Sequence, residues 1–575
     1  MDKLQAIESQ MQSFDGNTIF YREWIPQNVA DKAVVIFHRG HEHSGRLSGL
    51  VEQLNLDGFA CFAWDARGNG RSEGPRDWAE HFGVYAKDAD VFVRHVSQKH
   101  HIPIENMAVI GNSVGSVIAS SWVHDYAPPI RALIMATPAF RIKLYVPFAV
   151  PMLRLGQKLN LMKNVPSYVK GKVLTHDKAE QQAFADDPLI THGISTNILL
   201  GLHDTATRII QDAGAIRVPT QMHVAGNDWV VKVKPQREFF DRLGSDEKEW
   251  YEYPNFYHAI YHEQGKELAI DRTRQFILKY FDEKPACKSL IKADRSGYTY
   301  DEYQSLQKPK FSIFYSTNRL GINTLGRLSK GIRIGLKDGF DSGVMLDYVY
   351  QNKSNGQAVI GKMIDQTFLD SIGWRGIRVR KVNMKNTLRN TINMLDKEGK
   401  SVRIVDIAAG PGRYVMETIK EMNHLPIEAQ LRDYKQVNVE AGQKLVKELG
   451  LDRVYCEIGD AFDQEQIASI APKPTLGIVS GLYELFPDNQ GIQRSLQGLA
   501  AAIEKDGYLI YTNQPWHPQV EYIARVLDNR EGENWVMRRR TQEEMDELVG
   551  EAGFEKIGME IDPWGIFTVS VAKRI

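Results

Sequence analysis

Met107-Ala108-Val109-Ile110-Gly111-Asn112-Ser113-Val114-Gly115-Ser116-Val117-Ile118-Ala119 reads as a short buried strand, a sharp turn and the start of a helix. One serine stands at the corner with a glycine two positions to either side. Side chains there would crowd a serine held in so tight a turn, which is the physical reason for Gly-x-Ser-x-Gly at such a corner. The hydroxyl would then stand at the carboxyl edge of a sheet. The first turn of the helix behind it favours developing negative charge. The pentapeptide recurs by chance in ordinary loops, so its meaning rests on what the rest of the chain supplies, and in what order.

Upstream, Ala33-Val34-Val35-Ile36-Phe37 is a continuous apolar run that enters His38 to Arg46, and Ala60-Cys61-Phe62-Ala63-Trp64 ends in the glycine-punctuated loop Asp65 to Gly74. Buried strands alternating with helices predict an α/β unit with a mostly parallel sheet. Downstream, Gln221 to Ala225 leads to Asp228, and Trp250 to Pro254 leads to His258. Ser113, Asp228 and His258 each follow the end of an expected strand, where one sheet edge can gather them. His258 would take the proton of Ser113, Asp228 would fix its tautomer, and the N–H groups of Val114 and Gly40 would form an oxyanion hole. His262, one helical turn further on, competes for the base role but lies farther from the strand end. His38, His41 and His43 have poor ligand spacing, so no metal is expected. Asp241 reads as a surface acid.

His38 to Arg46, Asp65 to Gly74, the Gly111 to Gly115 corner, Asp228 and His258 together resemble the monoacylglycerol lipase and lysophospholipase branch of the α/β-hydrolases, over roughly residues 14–282. One departure is His38-Arg39, where that family has His-Gly. The resemblance implies an α/β-hydrolase fold with a cap at about 139–205, and serine-based hydrolysis of lipid-like esters. From Ala139 to His176 there is no acid, whereas Arg141, Lys143, Arg154, Lys158, Lys163, Lys170 and Lys172 alternate with apolar residues. An apolar segment bearing only positive charge suits peripheral contact with an anionic membrane. A packed cap with solvated lysines is the competing reading.

At 575 residues the chain is too long for one core. After Phe281 it turns polar and tyrosine-dotted, and residues 283–340 read as a linker and an amphipathic segment. Ile322, Leu325, Leu328, Ile332 and Leu336 share one helical face there, and Arg319, Lys330, Arg333 and Lys337 another. Such a stripe either touches a membrane or packs on the next domain.

The strand–loop logic then repeats over 341–575. Val402-Arg403-Ile404-Val405-Asp406 enters Ile407-Ala408-Ala409-Gly410-Pro411-Gly412, a second strand ends at Asp433, and a third reaches Asp460-Ala461. Small residues at a helix N-terminus let a ligand approach the backbone, and an acid at the next strand end can hold ribose hydroxyls. Asp406, Ala408, Gly410, Gly412, Asp433, Asp460 and Ala461 in this order resemble a class I S-adenosylmethionine-dependent methyltransferase, with its Rossmann-like fold. A nicotinamide site would want Gly-x-Gly-x-x-Gly, and the third glycine is missing. Tyr483, Glu484, Trp516 and His517 follow later strands and are candidates for the acceptor side.

Together the two halves resemble bacterial bifunctional hydrolase–methyltransferase chains. A module that binds S-adenosylmethionine without transferring methyl is the alternative for the second half. The net charge of −1 excludes a chain-wide nucleic-acid surface. Cys61, Cys287 and Cys456 form no disulfide or zinc pattern, and no apolar run is long enough to span a bilayer, so a cytoplasmic protein is expected.

Overall fold

The computed structural model describes residues 5–28, 30–285 and 288–575; Cys287 lies outside them. The chain divides into two compact units, Met1–Lys288 and Ser289–Ile575. Among the described residues, no helix is long and apolar enough to cross a membrane.

The first unit is built on eight strands. They are β1 (Ile7–Gln12), β2 (Thr18–Trp24), β3 (Lys32–Phe37), β4 (Phe59–Trp64), β5 (Met107–Asn112), β6 (Ala132–Ala136), β9 (Thr220–Ala225) and β10 (Lys248–Tyr253), with β7 (Asn164–Pro166) and β8 (Gly193–Ser195) forming a small separate pair between β6 and β9. The sheet order is β1-β2-β4-β3-β5-β6-β9-β10. β1 and β2 are antiparallel, and every pair from β4 to β10 is parallel. The central strands are largely apolar because helices cover both faces, and β4 and β5 are buried at every position. In a parallel sheet all these strands end at one edge, so the loops after β3, β5, β9 and β10 converge there.

The insertion between β6 and β9 carries the helices Ala149–Lys158, Lys178–Asp186 and Thr196–Gln211. Its charges do not all face outward. Arg141 donates to the carbonyls of Phe140 and His203, and Lys143 to the carbonyl of Asp228. Arg154 pairs with Asp204. Tyr145, Phe148, Met152, Leu155 and Leu161 are exposed.

The second unit has one seven-stranded sheet. Its strands are β11 (Arg403–Asp406), β12 (Glu428–Asp433), β13 (Val454–Ile458), β14 (Leu476–Val479), β15 (Tyr508–Asn513), β16 (Phe554–Ile561) and β17 (Thr568–Arg574), in the order β13-β12-β11-β14-β15-β17-β16. β11 to β15 run parallel, while β17 is antiparallel to both neighbours.

Much of the stretch expected to be a linker is helical and belongs to this unit, with helices at Tyr298–Gln307, Ile313–Asn323 and Lys330–Asp338. The amphipathic stripe is not one continuous helix. It breaks at Thr324 and restarts at Ser329, whose hydroxyl caps Ile332 N–H at 3.0 Å while buried Asp365 accepts from Gly331 N–H at 2.8 Å. Ile332 then packs into a cluster with Phe340, Met345, Tyr348 and Trp374.

Candidate functional site

The corner at Ser113 is set by close backbone approach. A Cβ on Gly111 would lie 2.6 Å from Ser116 Cα, and one on Gly115 would lie 2.5 Å from the carbonyl oxygen of Phe37 at the end of β3. Only glycine lets the helix Val114–Tyr126 start this near β3 and β5. Ser113 is held between them at φ 52°, ψ −109°, a conformation that costs on the order of 1–3 kcal/mol.

Ser113 Oγ lies 2.8 Å from His258 Nε2, and His258 Nδ1 lies 2.7 Å from Asp228 Oδ2. All three residues are buried. The other carboxylate oxygen of Asp228 accepts the N–H groups of Val230 and Val231 at 2.7 and 2.8 Å, which fixes the acid's orientation. Thr137 donates to the carbonyl of His258 at 2.9 Å. Neither the two amides nor Thr137 carries a sequence signal, since each depends on loop geometry.

His262 does not approach Ser113. It is buried, 2.9 Å from the carbonyl of Arg46, and burial beside Arg39 pushes its pKa down to about 3. His38 takes the N–H of Ala66 at 2.9 Å on Nε2, His41 meets Asp77 at 3.0 Å, and His43 meets Asp187 at 2.9 Å. They pin loops to one another, and no group of metal-ligating side chains occurs among the described residues. Asp241 pairs with Arg237 at the surface.

Arg39, the departure from His-Gly, is buried in a bidentate pair with Glu42. Burial works to raise the pKa of Glu42, but Arg39 and Arg46 outweigh it and hold it at about 2. Gly40 and Val114 line the same cavity as Ser113 and His258, closed by Leu144, Val165, Ile194 and Leu199 from the insertion.

In the second unit the turns after β11, β12 and β13 adjoin at one sheet edge. Gly410 N–H donates to Asp433 Oδ2 at 2.9 Å, and Asp433 Oδ1 accepts from Lys435 N–H and Asn438 Nδ2, each at 2.9 Å. Three of the roughly four acceptor positions of that carboxylate are filled, which leaves capacity for a hydroxyl. Gly410 has φ +56°, and a Cβ there would meet nothing within 4 Å, so open space lies over the turn. Ala408 N–H donates to Asp406 at 3.2 Å, and Phe462 N–H to exposed Asp460 at 2.9 Å, just past buried Ala461. Gly412 starts the helix Arg413–Glu421 at φ +70°. An open glycine turn beside two strand-end acids fits an adenosyl group.

Of the acceptor-side candidates, Tyr483 turns inward and donates to Ser495 at 2.9 Å. Glu484 and His517 line a large cavity of about 890 Å³. His517 Nδ1 accepts from Gln519 N–H at 3.0 Å, and burial pushes its pKa down to about 3, so the ring is neutral.

The family model described as "Putative methyltransferase" matches residues 273–574, more than half the chain. The chain belongs to that family. Residues 28–265 match the family described as "Serine aminopeptidase, S33". The chain is 45% identical over 568 residues to the uncharacterized protein YnbC of Escherichia coli (strain K12), covering 97% of each. It is 25% identical over 268 residues to the monoacylglycerol lipase of Mycolicibacterium smegmatis, covering 46% of this chain and 94% of that one. The crystal structure of Paleococcus ferrophilus monoacylglycerol lipase aligns over 48% of this chain and 99% of its own, with 20% identity and a TM-score of 0.41. A hydrolase unit related to monoglyceride lipases is thus joined to a methyltransferase-family unit.

Buried Asp406 offers a pH signature. Burial pushes its pKa up to about 7, although Tyr414 and the N–H of Ala408 donate to it. Between about pH 4 and 7 the folded state then keeps a proton that an unfolded chain releases, so stability contributed here falls as pH rises through that window. Protection factors of the β11 amides in the full chain should fall from pH 5 to pH 8, and Asp406→Asn should flatten that change. An equal pH dependence in both proteins would refute it.

Proposed function

We propose that the chain is a bifunctional enzyme: a serine hydrolase of lipid-like carboxylic esters, of the monoacylglycerol or lysophospholipid kind, fused to an S-adenosylmethionine-dependent methyltransferase. The observation that carries the first activity is the hydrogen-bonded series Ser113–His258–Asp228 opening on an apolar cavity. His258 Nε2 takes the hydroxyl proton as Ser113 Oγ attacks the ester carbonyl. The N–H groups of Val114 and Gly40 receive the oxyanion, a role in which one donor is typically worth about 2.7–4 kcal/mol. The imidazolium, steadied by Asp228, returns its proton to the departing alcohol. Water then opens the acyl-serine by the same relay, releasing the acid and restoring Ser113.

A fluorophosphonate probe should label the wild-type chain and fail on Ser113→Ala. Asp228→Asn keeps an acceptor for Val230 and Val231 but favours the wrong imidazole tautomer, and should lower kcat on a monoacylglycerol by about 10⁴-fold. Labelling that survives Ser113→Ala would sink the assignment.

For the second activity, S-adenosylmethionine when bound supplies a methyl group on a sulfonium. Asp433 would accept from its ribose hydroxyls and Asp460 and Ala461 would frame its adenine, while Gly410 and Gly412 keep the turn open and Asp406 and Ala408 shape its base. Calorimetry should detect S-adenosylmethionine binding to the full chain, weakened at least tenfold by Asp433→Ala. An unchanged Kd in the variant would remove Asp433 from this role.

Both sites serve one lipid or acyl-ester pathway in this reading, from the cytoplasmic side and with peripheral contact to an anionic membrane through the insertion. Phe148 and Leu161 are 80% and 75% exposed there, beside exposed Lys158 and Lys163. Vesicles containing phosphatidylglycerol should retain the chain better than phosphatidylcholine alone, and Phe148→Ser with Leu161→Ser should reduce retention. Equal retention on both vesicles at low salt would count against it.

A further inference from the structure

The cavity of about 890 Å³ in the second unit lies toward the upper end of the roughly 300–1,000 Å³ typical of small-molecule sites. Its walls are apolar, including Ile322, Leu346, Phe368, Trp374 and Met537. Leu325, Ile360 and Met363 also line it and are each more than 60% exposed, so its mouth has an apolar rim. A space of this size and lining suits a long hydrocarbon chain entering from the rim.

The polar end holds a buried ion pair. Arg380 and Glu484 both line the cavity, are 3% and 7% exposed, and pair at 2.7 Å through Nη1 and Oε1. Glu484 Oε2 and Arg380 Nε are both buried without a hydrogen-bond partner. Such atoms are costly when left unsatisfied, so a ligand that pairs them is favoured. An isolated carboxylate head would face Glu484 with like charge, and an ammonium would face Arg380. A hydroxyl donates to the first and accepts from the second.

The cavity also lies beside the cofactor turn. Glu484 and Gly481 follow β14, Gln514 and His517 follow β15, and β14 pairs with β11, whose end carries the Asp406–Gly412 turn. At that seam Ile407 N–H donates to the carbonyl of Ile478 at 3.2 Å.

We propose that this cavity binds a single-chain lipid alcohol, its chain among the apolar walls and its hydroxyl between Glu484 and Arg380. The inference rests on the methyltransferase reading above in one respect, that this alcohol is the methyl acceptor; its binding is measured without cofactor.

The test uses the full chain and two photoreactive probes below their micellar concentrations, a hexadecanol and a palmitate, each with a mid-chain diazirine. After irradiation, cross-linked peptides are mapped by mass spectrometry, which separates this cavity from the one beside Ser113. The alcohol should label residues 317–377 or 514–537 at least fivefold more than the acid. Met363→Trp at the exposed rim and Leu346→Trp within should each reduce that labelling at least fivefold. Glu484→Ala should erase the preference for the alcohol. An unchanged far-ultraviolet circular dichroism spectrum and a cooperative thermal transition verify that each variant is folded. Absence of labelling in those peptides, or labelling by the acid equal to that by the alcohol, overturns the inference. Cavity labelling with no methylation of the bound alcohol, assayed with methyl-labelled S-adenosylmethionine, overturns only its role as methyl acceptor.

Discussion

The first unit depends on one close approach: Gly115 lies so near the last carbonyl of β3 that no side chain fits between them. That contact aims the helix Val114–Tyr126 under the sheet edge and holds Ser113 in its strained turn. Strain of this kind persists only where the surroundings over-determine it. Here the flanking strands do so, with Ser113 N–H bonded to the carbonyl of Ala136 at 2.8 Å and Asn112 Nδ2 to that of Phe37 at 3.2 Å. The remaining groups then need only reach a fixed point. Parallel strands bring Asp228 and His258 to the same edge, and the two amides on Asp228 settle the rest.

The second unit reaches a comparable arrangement without a strained nucleophile. Its turn after β11 is open because glycine occupies the left-handed position, and Asp433 ties that turn to the neighbouring strand. The carboxylate here is a structural strut as well as a candidate ligand group, which explains why an acid at this strand end has a use before any ligand arrives. Asp406 is the opposite case. It is sealed under the turn, where desolvation opposes its charge more strongly than its two donors support it.

Both sheets and most of the polar residues at their edges were legible in the chain, because continuous apolar runs followed by glycine-bearing turns have few other folded solutions. Position just past a strand end told Asp228 from Asp241, which falls in the helix that follows. Distance from the strand end told His258 from His262, whose ring turns instead to the carbonyl of Arg46. Sequence periodicity supplied only part of the helical layer before β11, in the stripe from Ile322 to Leu336. Its first helix, Tyr298–Gln307, is tyrosine-rich and polar, and the next apolar stripe continues in helical phase across a break made by a serine cap. A cap reads clearly only when the preceding residues lose helical spacing, and here they do not. Charge counting misled in a similar way at the insertion. Arg141 and Lys143 read as surface cations but spend their donors on carbonyls, a choice set by local backbone.

Tyr483 and Glu484 show the limit of strand-end reasoning most clearly. Adjacent residues on one turn point to opposite sides, the phenol into the core against Ser495 and the carboxylate to the cavity. Two of the buried ion pairs can be compared on the same footing. Arg39–Glu42 is doubly bonded, with Arg46 in support, so both carboxylate oxygens are matched although Arg39 Nη1 is not. Arg380–Glu484 shares a single bond and leaves one atom of each partner unmatched. A buried pair is weak evidence for stability, since apolar residues of similar volume often serve as well or better. An incompletely satisfied one is weaker still. Its position at the polar end of a largely apolar cavity, one strand from the glycine turn, is therefore better explained by what it can receive than by what it holds together.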